Sequence, residues 1–272
     1  MSGLLIPLVS TGNVPQLSTD LILHSLSPDF QYVCELENLY LFPFVGPLDY
    51  VEGREPELYK ANKYKKYTTP IELFYNEKLQ LYVIQQRVPV FQGYENNFCK
   101  ELLVPLVKKL GVEAVFVLDS IDALEETISN YSNRLNRFSL GICDLSKIDN
   151  IATEFQQTLQ LEESEAHSVN KTLFDFTEDS FQLGISTDQF VFKLCYHLLH
   201  ASPPLPNLKR IKYMNVFVQE GDNSEDAVFA SKHLRRLVDN FPAVDNFVVP
   251  VSWKGVYGVR DVPSCFEEGL YI

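Results

Sequence analysis

Three carboxylates that follow predicted strands are the strongest candidates for catalytic residues in this sequence. Asp119 follows the apolar run that begins at Ala114, and Glu220 and Asp222 follow the run that begins at Ile211. In α/β enzymes the ligand lies in the crevice beyond the carboxyl ends of the strands. Carboxylates there could act as general acid and base or bind a metal, although at such turns they more often cap the next helix. They define a hydrolase or phosphorylase-like alternative for the function.

Two further candidate sites involve predicted helices. His197 and His200 lie three residues apart but off the apolar stripe, with no third ligand nearby in sequence, so we expect surface histidines. Residues 12–16 could offer backbone N–H groups to an anion, although a plain strand-to-helix turn is expected. The sequence contains no G-x-S-x-G elbow and neither common glycine-rich phosphate loop. We therefore predict no catalytic residue, no cofactor and no metal.

The chain ends in an aliphatic residue, a tyrosine and one closing residue, namely Leu270, Tyr271 and Ile272. A pocket can bind such an ending by offering a cation or N–H groups to the carboxylate and an apolar wall to the ring. Such an ending arises by chance in roughly one or two chains per hundred. It therefore gains meaning only in combination with other features.

The charge of the 272-residue chain bears on its partners. The formal net charge is −13 and the isoelectric point is about 4.8, so most of the surface would repel a nucleic acid. Two short basic runs, residues 60–66 and 232–236, are expected to be solvated, although they could contact an acidic protein surface. We expect protein partners and no nucleic acid.

The five cysteines and the N-terminus bear on location. The cysteines are odd in number without a C-x-x-C pair, and the N-terminus lacks a basic region typical of a signal peptide. No apolar run reaches the length that spans a bilayer, so no membrane partner is expected. We expect a reduced intracellular protein in the cytoplasm, with the nucleus as a second location.

The elements that must position these residues alternate between strand and helix. Strands are predicted at residues 4–9, 40–45, 71–75, 79–85, 114–118 and 211–218, the third and fourth forming a hairpin. Helices are predicted from residue 17, over 95–110 with a kink at Pro105, over 148–161, and after the caps Asp188 and Asn223. Trp253, the only tryptophan, is expected in the core. This alternation predicts an α/β fold with a sheet between helices.

Six short segments are distinctive in combination, order and spacing. They are residues 12–18 (GNVPQLS), 44–49 (FVGPLD), 85–87 (QQR), 220–224 (EGDNS), 252–255 (SWKG) and the ending 270–272 (LYI). Together they run from the first predicted strand to the last residue. On the basis of these segments, the chain resembles fungal members of the proteasome assembly chaperone 2 family over essentially its whole length.

The resemblance implies a three-layer α/β/α fold with a central mixed sheet, phosphorylase or hydrolase-like in outline but used for binding. It implies a single domain over residues 1–265 and a tail over 266–272. It also implies an obligate heterodimer with proteasome assembly chaperone 1 that sits on the outer face of the proteasome α-ring. Leu270, Tyr271 and Ile272 would then form a hydrophobic-tyrosine-X motif that enters a pocket between neighbouring α-subunits.

The sequence therefore favours an ATP-independent assembly chaperone, because the ending is intact and no nucleotide loop is present. Two alternatives stay open at this point. One is the enzyme that would use Asp119, Glu220 and Asp222. The other is a general interaction module whose tail has a different receptor.

Overall fold

The computed structural model describes residues 2–36, 39–123, 137–145, 173–177 and 184–254. Eight of the strands form one sheet and the other two form a short ladder. The strands are β1 (Gly3–Pro7), β2 (Phe30–Glu35), β3 (Gly46–Pro47), β4 (Tyr67–Thr68), β5 (Ile71–Asn76), β6 (Leu81–Gln86), β7 (Ala114–Asp122), β8 (Phe138–Asp144), β9 (Asp175–Phe176) and β10 (Arg210–Val218). The spatial order in the sheet is β2-β5-β6-β1-β7-β10-β8-β9, and β3 pairs only with β4.

The centre of the sheet is parallel and its margins are antiparallel. β1 runs parallel to β6 and β7, and β7 runs parallel to β10. β2, β5, β8 and β9 join this centre as antiparallel strands. The central strands are buried on both faces, which explains their nearly continuous apolar runs.

Helices cover both faces of the sheet. The helices are α1 (Val14–Ser25), α2 (Glu95–Phe98), α3 (Val104–Leu110), α4 (Phe190–Leu199) and α5 (Ser224–Leu237). α1 and α5 share one apolar cluster with the sheet, whereas α2, α3 and α4 share the cluster on the opposite face. The predicted three-layer α/β/α arrangement with a central mixed sheet is thereby confirmed.

Most predicted elements are present with small shifts at their ends. The predicted hairpin is β5 and β6, and the strands predicted at 114–118 and 211–218 are β7 and β10. The kink expected at Pro105 takes the form of a π-helical segment, Cys99–Leu103, that joins α2 to α3. None of the helices in the described ranges has the length and apolar character that a bilayer span requires.

Three details differ from the predictions. Residues 40–45 form no strand beyond one bridge between Leu41 and Val90, because Pro43 inside this run removes a ladder donor. α4 begins after Gln189 instead of after Asp188. The sequence predicts no strand at β2 or β8, nor at the two-residue strands β3, β4 and β9. The helix predicted at 148–161 and the boundary predicted between residues 265 and 266 lie outside the described residues.

Candidate functional site

The predicted site residues Leu270, Tyr271 and Ile272 lie outside the described residues, the last of which is Lys254. The structure does describe the segment that leads towards them. This segment consists of a short 3₁₀ helix, Val251–Trp253, and Lys254. We call residues 251–254 the tail root.

Trp253 fixes the tail root in the core. Its side chain is 2% exposed and packs with Leu17, Leu21 and Ala227 of α1 and α5. The indole Nε1–H donates to Oδ2 of Asp20 over 3.2 Å. A buried indole needs such a partner, so this contact combines burial of a large ring with a satisfied polar group. The expectation that this tryptophan is a core residue is confirmed.

Asp49 holds the tail root from the other side. The hydroxyl of Ser252 donates to Oδ2 of Asp49 over 2.6 Å, and the backbone N–H of Ser252 donates to Oδ1 over 3.2 Å. At the surface, Nζ of Lys254 lies 2.6 Å from a carboxylate oxygen of Glu52. One buried carboxylate therefore fixes both the backbone and the side chain of Ser252, because hydrogen bonds to an ionised acceptor are the stronger kind.

Arg87 and His24 lie beside the two carboxylates that hold the tail root. A guanidinium nitrogen of Arg87 lies 3.4 Å from Oδ1 of Asp20, and Nε2 of His24 lies 3.7 Å from Oδ2 of Asp49. Burial raises the pKa of Asp20, and the opposing effect of Arg87 does not cancel it. Burial also pushes the pKa of Asp49 upward, but the nearby His24 and the hydrogen bond from Ser252 outweigh it, so this pKa lies below its ordinary value. The network thus favours Asp49 as a charged acceptor.

The segments behind the resemblance converge on the tail root. Residues 12–18 and 44–49 contact it, residues 252–254 are part of it, and Arg87 of residues 85–87 reaches it through Asp20. A fifth, residues 220–224, packs on the first, because a Cβ on Gly12 would lie 2.5 Å from Oδ1 of Asn223. Sequence reasoning missed Asp20 and Asp49. Asp49 and Ser252 each belong to a distinctive segment, but no pattern pairs residues 203 positions apart.

The strand-end crevice lies beyond β1 and β7, where the connections of the sheet diverge. It has a volume of about 340 Å³, and Ser10, Asp119 and Ser120 are among its lining residues. Asp119 is buried, and its two oxygens accept from the hydroxyl of Tyr213 at 3.0 Å and the N–H of Ser120 at 2.8 Å. Burial raises the pKa of Asp119. Asp119 therefore serves as a hydrogen-bonded structural acceptor.

The other two predicted carboxylates do not join Asp119. Glu220 and Asp222 are exposed and do not line the crevice. Oδ1 of Asp222 accepts from the backbone N–H of Ser224 over 3.0 Å, at the start of α5. Carboxylates commonly have this role at helix starts. The acid pair of the hydrolase or phosphorylase-like alternative does not form.

The histidine and cysteine side chains considered next, all in the described ranges, also have structural environments. His197 hydrogen-bonds to Oδ1 of Asn96 over 3.0 Å, and His200 bonds to a carbonyl one turn earlier in its helix. Burial raises the pKa of the Cys99 thiol to about 12 and that of Cys143 to about 11, so neither is a thiolate at neutral pH. Among these residues no group of three or more His, Cys, Asp and Glu is arranged to hold a metal.

Comparisons with known proteins agree over nearly the whole chain. The sequence profile of the PAC2 family matches residues 4–238. Proteasome assembly chaperone 2 from Saccharomyces cerevisiae is 38% identical over 271 residues, which is 98% of this chain and 99% of that protein. Proteasome assembly chaperone 2 from Mus musculus is 24% identical over 274 residues, covering 97% of this chain and 94% of the relative.

Two solved structures share the fold at low sequence identity. PbaA from Pyrococcus furiosus, an archaeal homolog of proteasome-assembly chaperone, has a TM-score of 0.51 at 15% identity and covers 89% of this chain and 83% of its own. A protein of unknown function from Thermoplasma acidophilum has a TM-score of 0.53 at 10% identity, with 90% and 78% covered. At such identities the likeness shows the fold alone.

The sequence relatives decide between the enzyme and the binding protein. They carry the name of assembly chaperones, a non-enzymatic class, which confirms the prediction that the chain is not an enzyme. The family profile covers most of the chain, and the Saccharomyces cerevisiae protein aligns over nearly its full length. The chain therefore belongs to the PAC2 family of proteasome assembly chaperones.

Proposed function

We propose that this chain is an ATP-independent chaperone of 20S proteasome assembly that acts as a heterodimer with proteasome assembly chaperone 1. The heterodimer binds the outer face of the α-ring. Leu270, Tyr271 and Ile272 enter a pocket between neighbouring α-subunits, where a lysine meets the terminal carboxylate and an apolar wall meets the tyrosine. The names of the relatives and the ending of the sequence support this proposal.

The buried tail root is the structural observation that carries the proposal. The last described residues are held by a buried tryptophan, by two hydrogen bonds to Asp49 and by an ion pair at Lys254. A motif near the end of a chain gains effective concentration when its tether starts from a fixed point on the body that binds the same target. A fixed root is therefore what a docking tail requires.

Docking then proceeds through three contributions. The tail supplies a specific anchor, a broader protein surface supplies buried area, and a second tail from the partner adds avidity. None of these steps consumes a nucleotide. The rate of ring assembly rises because subunits are held side by side while the chaperone occupies their outer face.

The proposal is tested by capture of α-ring intermediates with purified heterodimer. Two variants change the motif, Tyr271→Ala and deletion of Ile272. Phe266→Ala is the matched control, because it removes an aromatic ring from the same tail outside the motif. We expect both motif variants to capture at least tenfold less α-ring, which corresponds to about 1.4 kcal/mol of binding free energy, while the control captures as much as the wild type.

Undiminished capture by both motif variants would exclude the tail as an anchor. Adding one alanine after Ile272 provides an independent check, because it moves the carboxylate while keeping every side chain. This extension should reduce capture as the deletion does. If it has no effect, the carboxylate is not recognised.

The proposed location follows from the proposed target. We place the chaperone in the cytoplasm, with the nucleus as a second location. A fluorescent protein fused to the N-terminus leaves the carboxyl end free and reports both compartments. Signal confined to a secretory compartment or an organelle would contradict the proposal.

A further inference from the structure

Exposed apolar side chains are concentrated in one segment of the chain. Among the described residues eight large hydrophobic side chains are exposed, and six of them lie between residues 39 and 67. Tyr64 is 93% exposed, Val45 is 72% exposed and Tyr67 is 60% exposed. Scattered single exposures are ordinary, but a concentration of this kind marks an interaction surface.

This segment adjoins the tail root. The N–H of Val251 donates to the carbonyl of Tyr50 over 2.9 Å, and Pro47 pairs with Tyr67 across the β3–β4 ladder. A cleft of about 340 Å³ opens there, lined by residues that include Phe44, Tyr50 and Val251. Lys254, the last described residue, therefore lies close to the segment that holds most of the exposed large apolar side chains among the described residues.

Within this segment, residues 60–66 contain four lysines and no acidic residue, and three of the lysines are exposed. Lys65 points inward, with its ammonium 3.0 Å from Glu35 and 2.8 Å from Glu72. Lys60, Lys63 and Lys66 are exposed and form no ion pair with any residue that the structure describes. In a chain of net charge −13, this local excess of free cations fits an acidic partner.

We infer that Val45, Lys60, Lys63, Tyr64, Lys66 and Tyr67, here called the lysine–tyrosine surface, contact the outer face of the α-ring beside the pocket that receives the tail. The ring surface that fits them is acidic with an apolar centre. This inference rests on the proposed function. It follows from adjacency, because the tail root bonds to Tyr50 and the β3–β4 ladder places Tyr67 beside Pro47 in the same segment.

The burial of the tail root favours the ring as the occupant. The tail root lies beside the lysine–tyrosine surface. Once the tail is docked, this surface is therefore held at a high effective concentration near the ring. Apolar anchors surrounded by cations would then supply both area and orientation.

The test compares two charge-reversal variants of the heterodimer in binding to purified α-rings at several salt concentrations. K60E/K63E/K66E changes the surface, and K100E/K108E/K232E makes the same change in net charge at three exposed lysines elsewhere. We expect the first to bind roughly tenfold more weakly than the second at low salt, and the gap to narrow as salt rises. Tyr64→Ala should weaken binding as well, whereas Tyr64→Phe keeps the ring and should not.

Equal binding by the two charge-reversal variants would overturn the inference. A second result would also overturn it: K60E/K63E/K66E forms less heterodimer, but the heterodimer that does form binds rings as the wild type does. The surface would then contact the partner chaperone instead of the ring. Failure of the wild type to bind rings, or binding that survives loss of the tail motif, would instead refute the proposed function. All substituted side chains are exposed, so thermal unfolding should confirm that each variant folds.

Discussion

Asp49 is the residue on which the tail root depends most directly. Its two oxygens accept both the hydroxyl and the backbone N–H of Ser252, and His24 faces it at 3.7 Å. The carboxylate is 7% exposed, so water cannot replace a lost partner. A buried polar group left without its partner costs more than an exposed one, which makes this position sensitive to small chemical changes.

Replacing this carboxylate by an amide of the same size tests its charge. We expect Asp49→Asn to lower the free energy of unfolding by about 2 kcal/mol at pH 7. The pKa of Asp49 is lowered in the folded chain, so the charge stabilises the fold above the unfolded pKa of about 3.9, and this contribution is lost as pH falls through the folded pKa. Urea unfolding at pH 7, 5, 4 and 3 should show the difference between the variant and the wild type narrowing in acid.

Asp29→Asn is the control for this prediction. Asp29 pairs with Lys78 at the surface, where both side chains are more than a third exposed, so its loss should cost less than about 1 kcal/mol. A deficit for Asp49→Asn that stays constant between pH 7 and pH 3 would mean that the charge does not hold the tail root.

Trp253 offers a direct optical report on the tail root, since it is the only tryptophan in the chain. We expect Leu17→Ala to raise acrylamide quenching of its fluorescence under native conditions, because Leu17 packs on the indole and its truncation leaves a cavity. Leu194→Ala removes an equally buried leucine from the opposite face of the sheet. Both should cost roughly 2–5 kcal/mol, but the second should leave quenching unchanged. Equal quenching in the two variants would place the indole outside the contacts described.

At the scale of elements, prediction succeeds where the pattern is local. The hairpin of β5 and β6 is readable because its strands have strong β-formers and its turn lies between them. β2 is an edge strand whose mixed burial leaves no clear alternation, so it escaped prediction. The run at 40–45 has strand composition, but Pro43 prevents more than a single bridge.

The junction between β1 and α1 shows how an element can depend on a distant one. Gly12 has φ +65°, and a Cβ there would lie 2.5 Å from Asn223, a buried residue at the start of α5. We expect Gly12→Ala to destabilise the chain by more than about 2 kcal/mol, since the left-handed conformation alone costs about 1–2 kcal/mol for alanine. Thermal or urea unfolding measures the difference.

Gly53→Ala separates the two causes in that prediction. Gly53 has φ +78° with nothing within 4 Å of the added methyl, so only the conformational cost applies. It should therefore be clearly milder than Gly12→Ala. Equal losses would show that the contact with Asn223 contributes nothing.

At the scale of the whole molecule, the two parts of the candidate site differ in how visible they are in sequence. The ending 270–272 is three consecutive residues with a recognisable chemistry, so sequence suffices to propose it. The tail root contacts Asp20 and Asp49, and Arg87 contacts Asp20; these residues come together only when the sheet and two helices have formed. Such long-range polar contacts leave no periodic signal. The resemblance groups the segments that contain Asp49, Arg87 and Trp253, but Asp20 lies in none of them.

The proposed function predicts that the heterodimer binds the ring far more tightly than either tail alone. Once one tail is docked, the second searches a small volume at an effective concentration near the millimolar range, so the pair gains roughly 10²–10⁴ in affinity over a single tail. Deleting Ile272 in the heterodimer should therefore lower its affinity for the ring by up to roughly 10²–10⁴. In a heterodimer whose partner already lacks its own tail, the same deletion should remove only the weak affinity that a single tail provides. A synthetic peptide of residues 266–272 should accordingly compete with the heterodimer only at a large molar excess. Competition at equal concentrations would mean that one tail accounts for all the binding, and that neither the second tail nor the body of the chaperone contributes.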